Sequence, residues 1–109
     1  MVRTTTTAAA GPRRALARPR LARIRDIAAA VDAAMRDPDA GRRANALNRL
    51  GGQFPAHPRP VDRLEAAWTW AQTVRLAPTR IHTEHALAGA PAEWEQFMIE
   101  LARLNGGLI

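Results

Sequence analysis

The sequence predicts an all-α fold: a small bundle of about five helices, three main and two short, behind a disordered basic N-terminal arm. Three observations carry this. Apolar residues recur at three- and four-residue spacing in successive segments, the mark of helices with one buried stripe. No stretch alternates apolar and polar residues as a half-buried strand would. Between the periodic segments stand Asp37-Pro38, Gly51-Gly52, Pro78-Thr79 and Asn105-Gly106-Gly107, residues that start or stop helices. The expected organisation is an arm at residues 1–19 and one helical domain at 20–109, with a Pro/Gly-rich connection at 51–60.

The arm comes first. MVRTTTTAAAGPRR has no hydrophobic periodicity and is expected to be disordered when alone. From Pro19, a residue tolerated in a first helical turn, Leu21, Ile24, Ala28, Val31 and Met35 line one stripe and predict a helix over 20–36. Asp37 or Asp39 offers an N-cap for a second helix, roughly 39–50, with Ala44, Leu47 and Leu50 inward. GGQFPAHPRP follows, too rich in Gly and Pro for regular structure, with Phe54 as its anchor to the core.

VDRLEAAWTWAQTVRLA, about 61–77, reads as the central helix, with Asp62 and Glu65 at its positive N-terminal end. Trp68 and Trp70 point roughly 200° apart on a helix, which favours burial on two sides. Thr79 can cap a short helix ending at Gly89. A last helix opens at Pro91 and Glu93, with Trp94, Phe97, Met98, Leu101 and Leu104 as its stripe.

Composition narrows the function. With no Cys and no Ser, the chain has no thiol or serine nucleophile and no zinc-thiolate site. No Gly-rich phosphate loop opens a helix. His82 and His85 are three apart in HTEH, whereas zinc-protease helices place the pair four apart, and no third ligand is near in sequence. An enzyme, a cofactor and a metal site are therefore not expected. No apolar run approaches the roughly 20 residues of a membrane span, so no integral membrane association is expected and a cytoplasmic location is. All 16 basic residues are arginine and 24 residues are alanine, a bias matching a GC-rich genome of bacterial, phage or plasmid type.

The net charge of +6 is unevenly placed. Residues 1–25 hold seven arginines and no acid, while the remaining nine arginines face all ten acids, leaving residues 26–109 at −1. Arg13, Arg14, Arg18, Arg20 and Arg23 are thus candidates to follow a phosphate backbone. The same charge would suit an acidic protein surface, an anionic membrane or an organellar transit peptide. A second candidate is the outer face of the second helix, where Arg42, Asn45 and Arg49 could pair with base edges; its other reading is a solvated face.

The stretch Trp70-Ala71-Gln72-Thr73-Val74-Arg75-Leu76-Ala77-Pro78-Thr79-Arg80-Ile81-His82-Thr83-Glu84-His85 resembles a helix-turn-helix over about twenty residues, with small Ala71 and apolar Val74, Leu76 and Ile81. Arg75 and Glu84 depart from the glycine and apolar residue of that pattern. The resemblance implies that Thr79–Ala88 is a recognition helix presenting Arg80 and Thr83; two bundle helices joined by a proline turn is the alternative. Together these readings lead to a small non-enzymatic nucleic-acid-binding accessory or regulatory protein that contacts phosphates through its arginine arm. The rival is a helical protein–protein interaction module: an adaptor, an antitoxin or immunity-type partner, or an inhibitor of a host protein. It would dock a protein partner, or form a homodimer, through Trp94, Phe97, Met98 and Leu101.

Overall fold

The computed structural model describes residues 16–76 and 91–106, and within them every regular element is helical. The four helices are α1 (Arg18–Met35), α2 (Ala40–Gly51), α3 (Val61–Leu76) and α4 (Ala92–Leu104). The arm before Leu16 and the short helix expected at Thr79–Gly89 lie outside the described residues.

Local chemistry sets the boundaries. α1 starts with Pro19 in its first turn and buries Ile24, Ile27, Ala28 and Val31. Of the two candidate caps for α2, Asp39 is the one used: its Oδ1 accepts from the Arg42 amide at 2.8 Å. Asp37 holds the turn before it by accepting from the Asp39 amide at 2.9 Å. α2 buries Leu47 and Leu50, whereas Ala44, expected inward, is exposed. The Leu47 and Leu50 side chains suffice for its contact with α1 and α3, and the Ala44 edge faces water. α4 ends where Asn105 caps it and Gly106 turns to φ +76, a left-handed conformation open to glycine.

α1 and α3 each pack against all three other helices, as expected for a central helix at 61–77, and α4 is the most deeply buried of the four. α4 packs against both α1 and α3, while α2 closes against the same two helices. It is buried on all sides: Trp94, Phe97, Met98, Ile99, Leu101 and Ala102 are core, and Glu93, Glu95 and Glu100 are buried with them. Leu104, expected in the apolar stripe, lies beyond the packed part of the helix and is half exposed. α3 buries Leu64, Ala67, Ala71 and Val74. Trp68 and Trp70 are each half-buried at its sides, packed on the edge of the core.

The connection between α2 and α3 is pinned at two points. Phe54 is buried against Trp94 and Phe97, at ring separations of 5.8 and 5.0 Å. The Arg59 amide donates to the Gly51 carbonyl at 2.9 Å. That approach is so close that a Cβ on Gly51 would lie 2.0 Å from the Arg59 carbonyl oxygen. Glycine is required there by contact with another strand of backbone, beyond its position at a helix end.

Candidate nucleic-acid interface

Burying glutamates on a central helix demands partners, because an unpaired carboxylate in a core is strongly destabilising. α1 supplies them. Arg20 Nη1 lies 3.2 Å from Glu93 Oε2, and Glu93 Oε1 accepts from the Ala56 amide at 2.9 Å. One carboxylate thereby ties α1 and the α2–α3 connection to α4. Five residues along α1, Arg25 Nε lies 3.4 Å from Glu100 Oε2, which also accepts from Gln96 at 2.7 Å and Arg103 at 3.3 Å.

These pairs divide the arginine-rich segment. Arg20 and Arg25 are committed to the acids of α4 and serve the fold. Arg18 and Arg23 are exposed on α1, and among the described residues neither has a carboxylate partner. Arg13 and Arg14 lie outside the described residues. The sequence could place these arginines in one acid-free run but could not say which meet acids about 75 residues away.

On α2, Arg42, Asn45 and Arg49 are all exposed, as their spacing implied. Arg42 is nevertheless engaged: Nε and Nη2 donate to the two oxygens of Asp37 at 3.0 and 3.1 Å. The Arg42 hydrogen bond holds the Asp37 carboxyl below its ordinary value, and Asp37 in turn raises Arg42. Arg49 has no carboxylate partner among the described residues. Arg80 and Thr83, with His82, His85 and the second half of the helix-turn-helix resemblance, lie outside the described residues.

The opposite end of the bundle is held by a polar junction. Asp32 accepts from Arg36 Nε at 3.1 Å, Trp68 Nε1 at 3.0 Å and Asn105 Nδ2 at 3.3 Å. Burial pushes the Asp32 carboxyl up, but these hydrogen bonds and the Arg36 charge outweigh it and hold it below the usual aspartate range. Asn105 also donates to the Leu101 carbonyl and accepts from Arg36 and Gln72. Every hydrogen-bonding group of its amide is used. The junction links α1, α3 and α4, and its saturation leaves it a structural device.

The proposed docking stripe on the last helix needs correcting. Phe97 and Leu101 are fully buried, and Trp94 and Met98 retain under a tenth of their surface. They cannot meet a partner while serving as this chain's own core. Two residues of interest escaped the sequence reading, Arg59 and Arg63, whose guanidiniums both rest on Trp94. A signal existed for Arg59 alone: residues 40–61 contain four arginines and no acid, whereas Arg63 lies between Asp62 and Glu65.

No helix among the described residues is long and apolar enough to cross a membrane. Comparison with protein-family models, with curated proteins and with solved structures found no match.

Proposed function

We propose that this chain is a small, non-enzymatic nucleic-acid-binding accessory protein that grips phosphates with the arginines at its N-terminal end. One observation supports the reading: of the seven acid-free arginines of residues 1–25, two neutralise buried glutamates, while Arg18 and Arg23 have no carboxylate partner among the described residues and Arg3, Arg13 and Arg14 lie outside them. A folded protein has no need of such an excess for its own stability. It suits a polyanion, where each neutralised phosphate releases counterions. The bundle would then act as the rigid base from which the segment departs, since Arg18 and Arg23 already stand on α1.

The test is a salt titration of duplex DNA binding by fluorescence anisotropy. Five phosphate contacts contribute about −4.5 to the log–log slope of affinity against salt. Replacing the five arginines by glutamine should remove that contribution, while circular dichroism shows the helices intact. An intact chain that leaves DNA unbound at low salt, or a slope that the five replacements do not change, would refute the proposal.

A further inference from the structure

A second cationic cluster stands apart from the N-terminal arginines. The Arg59 guanidinium lies 5.0 Å from the centre of the Trp94 ring, and that of Arg63 lies 5.7 Å from the same centre. The ring attracts each cation but neutralises neither, so holding two on one indole leaves their repulsion uncompensated. Among the described residues, no carboxylate lies within ion-pair distance of either. Glu93, the acid next to Trp94 in sequence, is occupied by Arg20 and the Ala56 amide. The Nε of Arg59 is also the one buried side-chain polar atom among the described residues with no hydrogen-bond partner.

The Arg59 backbone is held on both sides. Arg59 stands between Pro58 and Pro60, whose rings restrict the backbone on both sides, and its own amide and carbonyl are fixed against Gly51. Arg63 sits exposed in the first turn of α3, its amide donating to the Pro60 carbonyl at 3.0 Å, with Asp62 beside it in sequence. Arg49 stands two residues before Gly51, at the same end of α2. Two guanidiniums gathered on one indole, neither ion-paired to Asp62, Glu65 or any other carboxylate among the described residues, offer several donors to an anion with several oxygens.

Resting on the nucleic-acid reading above, we infer that Arg59 and Arg63 form a second contact with the phosphodiester backbone, separate from the N-terminal segment. Trp94 is covered and unable to stack on a base, so the contact reads charge and not sequence. It makes binding two-point: the segment supplies most of the salt dependence, and the Arg59–Arg63 pair fixes where the strand crosses the bundle.

The test uses the full chain and two duplexes of unrelated sequence. Replacing both residues, R59Q with R63Q, should lower the magnitude of the salt slope by about 2 and weaken both duplexes by the same factor. Lysine at both positions should restore the slope. Should the double variant melt early, R63Q alone, at an exposed position, should lower the slope by about 1. DNA binding that persists with an unchanged slope in these folded variants would overturn the second contact and leave the first reading standing. No binding by the unaltered chain would overturn both.

Discussion

Gly51→Ala puts the packing of the α2–α3 connection to a quantitative test. Two effects oppose each other. Gly51 lies in the last turn of α2, and its φ is not in the left-handed region, so alanine should favour the helix by up to about 1 kcal/mol. Against this, the new methyl would lie 2.0 Å from the Arg59 carbonyl oxygen and 3.1 Å from its carbon. A tolerable carbon–oxygen contact is about 3.3 Å, so one backbone must retreat by more than an ångström. Overpacking of that kind costs about 1–3 kcal/mol. The retreat also stretches the Arg59-to-Gly51 hydrogen bond, whose loss costs about 1 kcal/mol. The sum is a net destabilisation of about 1–3 kcal/mol. With a urea m-value of about 1 kcal/mol/M, the midpoint should fall by roughly 1–3 M, read by circular dichroism or tryptophan fluorescence. Gly52→Ala is the control, since its Cβ would meet the Arg49 carbonyl oxygen at an ordinary 3.5 Å and its φ is −73. It should be neutral or stabilising by up to about 1 kcal/mol. A midpoint for Gly51→Ala equal to or above that of the parent would show that the close approach does not constrain the fold.

Two further outcomes concern the core and its polar junction. Phe54→Ala removes a buried ring wedged on Trp94 and Phe97 and should cost about 3–5 kcal/mol, measured by urea unfolding. Asp32 governs an acid limb: its carboxyl is depressed in the folded state, so the unfolded chain binds the proton more readily and stability rises with pH in this range. Its contribution is complete above the ordinary aspartate value of about 3.9 and is lost as pH falls through the lower folded value. Urea midpoints followed from neutral pH into strong acid should decline over that window in the parent. The decline should be shallower in Asp32→Asn, and identical acid limbs would remove Asp32 from the account.

The helices were legible in the sequence because each carries its own stripe and its own punctuation. The spans expected at 20–36, 39–50 and 61–77 stand at Arg18–Met35, Ala40–Gly51 and Val61–Leu76. Their arrangement was less legible. Hydropathy reads Glu93 and Glu100 as outward-facing residues, so α4 looked one-sided and its stripe looked available to a partner. Their burial depends on Arg20 and Arg25, 73 and 75 residues away, and no local pattern encodes such pairings. The same pairs explain why the N-terminal arginines could be counted but not divided. Arg59 and Arg63 were overlooked for a related reason: their meeting on Trp94 depends on the path of a proline-rich connection that has no period to read.

The position of α4 in chain order has a consequence for how the protein comes into being. A ribosome delivers α1, α2 and α3 before α4, and the first three must wait, since the helix that fills the space between α1 and α3 has yet to emerge. Until then α1 and α3 lack the helix with which each makes its most extensive contact, and Arg20 and Arg25 lack their counter-charges. Vectorial synthesis therefore leaves the core incomplete from the amino end until α4 arrives. The core should close in one late step once residues 92–104 are free, leaving the nascent chain a client for chaperones and proteases up to that moment.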